Sequence, residues 1–395
     1  MSTVRPLLRA FVASSFLIVL PFAAAQAAEP ADVANRLKDA LARQDVDLQW
    51  KGISGDASSM VLSGVTAGAS GTEKRAEIGD ITLTNVSEDG DDYVIGNASL
   101  PTYSVVNEGA TASMTDVSIS GLRLPPSDST DPMDSVMLYD KAKIGEVSVK
   151  RDGKQVFDMT GFHVDITRPE GDNPLKFEGA ADSFTGDLSG MKDPKSKAAI
   201  EALGYETIEG SFAMAGSWAP KTGEASLDTY KLTVKNAGTF DISLKMSGYT
   251  PEFIRSLHAI RKKIAEAPED QKTTQSMALL GLMQQLSFSG ATVRFDDDSL
   301  TGKVMDYAAQ QQGTKRGDIA NQAKAVLPFM LMKLNNPDLS AEVTKAVSAF
   351  LDAPKNLAIV AAPPNPVPLA EIAAGAMGAP QQLPETLGLK VIANQ

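Results

Sequence analysis

The sequence predicts an α+β protein: a long, curved antiparallel β-sheet laid out as a meander, with a mainly helical C-terminal part packing on it. Three observations predict this. Apolar and polar residues alternate from about Asp45 to Ser247, as strands buried on one face and wet on the other require. Short Gly-containing turns, Asp152-Gly153 the clearest, separate the alternating runs, and such pairs are strong hairpin signals. After Thr250-Pro251 the apolar spacing becomes that of helices.

The chain opens with an export signal over residues 1–27. Arg5 and Arg9 form a basic start, an apolar run extends from Ala10 to Ala25, and Ala25-Gln26-Ala27 supplies the small-x-small pattern of signal peptidase. Cleavage is expected between Ala27 and Ala28. The run is short for a membrane span, and no later segment approaches one, so the mature chain is expected to lack a transmembrane segment. Losing two arginines takes the formal charge from -12 to -14.

Residues 28–249 form a first region of one helix and the sheet. Glu29 to Gln44 reads as the helix, with Val33, Leu37 and Leu41 on one stripe. Nine to twelve strands follow without helical crossovers. Phe162, Val164 and Ile166 alternate with His163 and Asp165, and Phe240, Ile242, Leu244 and Met246 alternate with polar neighbours. Asp89-Gly90-Asp91, Lys221-Thr222-Gly223 and Asn236-Ala237-Gly238 mark further turns. Ala76-Glu77-Ile78-Gly79-Asp80-Ile81-Thr82-Leu83 and Ala142-Lys143-Ile144-Gly145-Glu146-Val147-Ser148-Val149 match in character, a faint two-copy repeat. The Pro- and Asp-rich stretch Pro125 to Pro132 between them reads as a loop or hinge.

Residues 250–395 form a second, mainly helical region. Thr250 caps a helix carrying Phe253, Leu257, Ile260 and Ile264, ended by Pro268. The next helix carries Met277, Leu280, Met283 and Leu286, and a strand runs from Ser287 to Phe295. Asp298 or Ser299, Asp318 and Ser340 are expected to open three more helices, the one reaching Leu334 kinked at Pro328. Leu357 to Ala361 and Leu387 to Ile392 read as closing strands.

Composition narrows the chemistry. With 49 acidic against 37 basic residues, the protein lacks the basic footprint of a nucleic-acid binder. It has no Cys and two His, which removes disulfides, thiolate nucleophiles and Cys-ligated metals. Ser189-Gly190-Met191-Lys192 and Lys221-Thr222-Gly223 have the spacing of penicillin-recognising serine enzymes. They lie too close together, with no intervening third motif, and read as loop and hairpin. The acidic groups Glu88 to Asp92 and Asp296 to Asp298 lack the alternation of a calcium loop and read as solvated turns. Met277, Met283, Met305, Met330 and Met332 read as core filler rather than copper ligands. No catalytic residue, metal ligand or cofactor is expected. Arg255, His258 and Lys262 form a basic helix face in an acidic protein, which would suit an anionic headgroup or partner where it is not simply solvated.

The export signal, the polar alternation with short hairpins, and the Ser-Leu-Thr then helix pattern after Asp297 resemble AsmA-like and YdgA-like β-rich exported envelope proteins of proteobacteria. The resemblance implies envelope maintenance or lipid handling and carries over no site residues. A one-sided sheet of this length has an apolar face to cover. The amphipathic C-terminal helices are the first candidates to cover it; a groove left open for an acyl chain is the alternative. The expected function is therefore a non-catalytic periplasmic protein whose partner is a lipid-like ligand or an envelope protein. The alternative is a hydrolase assembled from scattered Ser, Asp and Lys residues.

Overall fold

The computed structural model describes residues 28–395 apart from 71, 169–172, 268–271 and 333–334. The export signal with Ala27, the helix stop at Pro268 and Leu334 lie outside the described residues. The elements run α1 (Pro30–Ala42), β1 (Val46–Gln49), β2 (Gly52–Asp56), β3 (Ser59–Ala69), β4 (Arg75–Asp89), β5 (Asp92–Asn107), β6 (Ala110–Leu124), β7 (Lys141–Arg151), β8 (Lys154–Thr167) and β9 (Leu175–Asp187). They continue through α2 (Pro194–Leu203), β10 (Thr207–Ala219), β11 (Glu224–Val234), β12 (Gly238–Ser247), α3 (Pro251–Glu266), α4 (Lys272–Met283), β13 (Ser287–Asp297) and α5 (Leu300–Gln312). The last are α6 (Arg316–Leu331), α7 (Pro337–Asp352), β14 (Asn356–Ala361), β15 (Val367–Pro368), α8 (Leu369–Gly378), α9 (Leu383–Thr386) and β16 (Leu389–Ala393).

All described strands belong to one open antiparallel sheet, ordered β1-β3-β4 and then in sequence to β14-β16, with β2 also on β3 and β15 on β13. Sequential antiparallel pairing needs only short turns. The Asp152-Gly153 turn joins β7 to β8 with φ of 51° and 78°, the doubly left-handed backbone that selects an Asp-Gly pair. Up to β12 one helix, α2, interrupts the meander, as an excursion between the paired β9 and β10; beyond it α3 and α4 lie between the paired β12 and β13, and α5, α6 and α7 between the paired β13 and β14. Between β4 and β5 the sheet forks. Residues 82–89 of β4 pair with residues 92–99 of β5, while the rest of β4 pairs with β3 and the rest of β5 with β6.

Strict alternation does not hold along these strands, and bulges explain why the core survives it. In β3 the buried residues are Met60, Leu62 and then Val65, a step of three across Gly64 at φ 59°. In β8, Gly161 at φ 66° sets Met159 and Val164 on the same side despite their odd spacing. A left-handed residue absorbs one position, returns the apolar side chains to the same face and bends the strand. Acids of the adjacent strand sit against these glycines. Asp80 Oδ1 accepts from the Gly64 N–H at 2.8 Å, and Asp182 occupies the space a Cβ at Gly161 would need. The first copy of the repeat uses this device, Ile78 stepping to Ile81 across Gly79 at φ 98°; in the second copy Gly145 has no left-handed backbone and lies against left-handed Asp116 of the adjacent strand.

Two apolar clusters sit on the sheet. In the first, α1 lays Val33, Ala34, Leu37 and Ala40 on Met60, Leu62, Leu83, Ile95, Leu122 and Leu124. In the second, Phe253 and Ile254 of α3 and Leu282 of α4 pack with Leu286 and Trp218 of β10. Thr250 caps α3 by accepting from the Phe253 N–H at 3.2 Å. The segment between β6 and β7, read as a hinge, is a strap. Its Met137 and Tyr139 pack on the first cluster, and its Met133 and Val136 pack on the second.

Capping at three helix starts differs from expectation. Ahead of α5, Ser299 holds the N-cap position as expected but its side chain makes no cap bond; the Asp297 carboxylate accepts the Thr301 N–H at 2.8 Å instead. Asp318, expected to open the helix, lies inside the first turn of α6 and accepts from the Lys315 N–H at 3.1 Å. Asn336, not Ser340, caps α7 through the Leu339 N–H at 2.9 Å. Local sequence offers several acceptors near each start; at α7 the extended backbone of Asn336 places its side chain to cap.

Candidate functional site

The sheet carries one unbroken apolar row at right angles to its strands. From β3 to β16 the paired residues are Met60, Leu83, Ala98, Ile119, Ala142, Val164 and Gly179, then Met214, Tyr230, Ile242, Val293, Ile359 and Val391. Directly paired residues share a face. A second row on this face, Tyr103, Met114, Val147, Met159 and Phe184, lies beyond the fork. One register step away the pairs are Ser104, Ser113, Ser148, Asp158, Thr185 and Glu209, so the opposite face is polar.

Covering of the apolar face is partial, which corrects the first expectation. Under α1 the row is closed: Leu83 is 0% exposed. In the middle it is open. Tyr230 is 40% and Leu232 38% exposed, Phe240 is also exposed, and Tyr103, Met114, Val147, Met159 and Phe184 are all half-buried. The C-terminal helices pack mainly on one another and on β14 and β16. They leave Met277 and Leu280 of α4, and Val326, Phe329, Met330 and Met332 beside the end of α6, exposed. Of the methionines read as core filler, Met305 is buried and Met283 packs on the second cluster; Met277, Met330 and Met332 are not core.

The open floor is flattened by aromatic rings lying over glycines of the next strand. Phe177 pairs with Gly216 and Phe184 with Gly210, and each ring fills the space a Cβ on the glycine would occupy. Phe212 meets Tyr230 edge-on with centroids 5.0 Å apart, a favourable arrangement for aromatic pairs.

The basic face expected at Arg255, His258 and Lys262 is assembled, and α1 adds Arg43 to it. The four residues line a cavity of about 270 Å3 together with Asp45, Asp131 and Asp134. His258 Nδ1 lies 3.0 Å from the Arg43 carbonyl oxygen; a carbonyl only accepts, so Nδ1 carries the hydrogen. Arg43 Nη2 donates to the Pro126 and Ser127 carbonyls at 2.9 and 3.1 Å, and Arg255 Nη1 donates to the Thr130 carbonyl at 3.2 Å. Helix α1 packs on β1, β2 and β6 and α3 on β10 and β11, so contact between their residues means the sheet bends over this face. Arg43 was missed in sequence because its partner is 215 residues away. A second cavity, about 520 Å3, lies on the other side of the strap among Pro132, Met133, Ala219, Pro220 and Pro251.

Other residues singled out in sequence have structural partners. Arg123 closes on Asp89 and Asp92, Arg294 on Asp296, and His163 Nδ1 meets the Gly161 carbonyl at 3.0 Å. Ser189 lies in the turn after β9, where its N–H donates to Asp187 at 2.8 Å and its hydroxyl accepts from Lys154 at 3.2 Å; Lys221-Thr222-Gly223 turns β10 into β11. Hydrogen bonds from Lys154 and then Ser189 hold the Asp187 carboxyl at about 2. A carboxyl lowered on folding stabilises above its unfolded value, and that contribution goes as pH falls through the folded one. The Asp187 carboxylate signal is therefore expected to titrate near pH 2 by NMR. A midpoint near 4 would show the Lys154 contact absent in solution.

Fold and face together define an open-faced, single-sheet β protein with a helical end cap and a partly uncovered apolar floor. Comparison with known proteins adds one similarity. A family model described as "Uncharacterized protein" matches residues 231–394, the part from the end of β11 to β16. No curated protein matches the chain.

Proposed function

We propose that this is an exported, non-catalytic envelope protein that holds an apolar, lipid-like ligand across the uncovered middle of its sheet. The observation that carries the reading is the thirteen-strand apolar row, closed under α1 and buried again at Val164, on a face that is exposed at Tyr230, Leu232 and Phe240 of β11 and β12. Exposed contiguous apolar surface of this kind marks binding surfaces. From Met214 of β10 to Val293 of β13 the row has no buried residue, and three inter-strand steps of about 4.8 Å make this stretch roughly 14 Å long, close to the roughly 15 Å of hydrocarbon in one bilayer leaflet. An acyl chain of that length fits along it. The expected export signal and the resemblance to AsmA-like envelope proteins support a periplasmic location. Among the described residues no helix is long and apolar enough to cross a membrane.

Native mass spectrometry and organic extraction of the purified protein are expected to yield bound lipid. Glutamates at Met214 and Tyr230 on the floor should abolish recovery, because an unpaired carboxylate is costly against hydrocarbon. Glutamate at Ser104 on the polar face should leave recovery unchanged. Lipid-free protein that instead reacts with a serine-directed hydrolase probe would overturn the reading in favour of a hydrolase.

A further inference from the structure

We infer that the cavity between α1, the strap and α3 is a binding site for a phosphate-class anion, held by Arg43, Arg255 and Lys262 with His258 beside them. The charge pattern is the first reason. Six arginines elsewhere are matched with aspartates, Arg36 with Asp32, Arg75 with Asp47, Arg123 with Asp89, Arg168 with Asp140, Arg294 with Asp296 and Arg316 with Asp306, while Arg151 and Arg261 have no ion pair among the described residues. In the cavity, Arg43, Arg255 and Lys262 share a wall with three carboxylates, yet none of the three cations forms an ion pair among the described residues.

Two of those carboxylates are already engaged by their own loop. Asp131 Oδ1 accepts from the Met133 N–H at 2.8 Å, and Asp134 accepts from the Ser129 hydroxyl. The guanidinium groups are instead steered by backbone carbonyls. Those carbonyls fix the orientation of the guanidinium groups without forming an ion pair, so their charge stays available to a bidentate oxyanion.

Size is the second reason. About 270 Å3 falls just below the roughly 300–1,000 Å3 of sites that enclose whole organic ligands. It suits a headgroup or an inorganic ion, and the exposed Arg255 and Lys262 leave the mouth accessible.

The inference does not rest on the apolar floor, and one experiment keeps the two apart. Inorganic phosphate and the soluble lipid dihexanoyl-phosphatidylglycerol are titrated separately into the full mature protein by calorimetry at low salt. Side by side run the double variant Arg255→Gln/Lys262→Gln and the control Lys263→Gln, which alters an exposed lysine of the same helix outside the cavity. Both removed cations are exposed, so the double variant should fold.

Binding of phosphate that weakens about tenfold or more in the double variant, and is unchanged in the control, establishes a free-anion site. Binding of the short lipid alone, with the same dependence, assigns the site to a headgroup. No binding of either probe below about 10 mM, or equal affinity in the double variant and the wild type, overturns it. Failure here leaves lipid recovery from the floor unaffected, since that experiment reads acyl chains and Met214.

Discussion

Leu83→Ala is expected to cost about 3 kcal/mol of unfolding free energy, whereas Leu232→Ala should cost less than about 1 kcal/mol. Both are leucines in central strands of the same sheet, on the same apolar face. The difference is what lies above them. Leu83 is 0% exposed and packs in the cluster that α1 completes, so truncation leaves a cavity that its neighbours cannot collapse. Leu232, paired with Phe212 and Phe240, is 38% exposed; truncating it removes area that water already reaches. Urea denaturation of the two variants, at matched m values, measures the contrast. Equal losses would mean that something covers the middle of the sheet in solution, and the lipid reading would lose its open floor.

The sheet was legible in the sequence because its signals are local. Alternation named the strands, and Asp152-Gly153 named a turn whose two left-handed residues the structure confirms. What a period of two could not express is the bulge. Ile78 to Ile81 and Met159 to Val164 break the alternation, and only the positive φ at Gly79 and Gly161 shows that the face is kept. Capping side chains were misplaced by a few residues wherever several acceptors crowd a start, as at Asp297 and Asn336. The methionines failed for a different reason. A stripe at helical spacing says that a face is apolar, not that anything covers it, and Met277 and Met330 face solvent. The basic face was legible as three residues of one helix; its fourth member, Arg43, joins only because the sheet bends.

Gly216→Val is expected to destabilise the protein by about 2–3 kcal/mol, and to do so by disrupting the floor rather than a turn. Gly216 has no left-handed backbone to protect; its glycine is required by close approach. A Cβ there would run into the Ser226 carbonyl oxygen of β11 and the Phe177 ring of β9. The carbonyl belongs to the paired backbone of β11, so it cannot move without opening the ladder. The ring can move, but only by standing up from the floor, where it would obstruct a chain lying across the strands. Gly190→Val is the matched control, because nothing lies within 4 Å of a Cβ at that loop position. It should change stability by less than about 0.5 kcal/mol. Lipid recovery separates the two consequences of the first substitution. Carried out at a temperature where the Gly216→Val protein remains folded by near-UV circular dichroism, extraction should still return less lipid than wild type. Undiminished lipid from a folded Gly216→Val protein would mean that the ligand does not lie over Phe177, and would move the binding surface elsewhere on the apolar face.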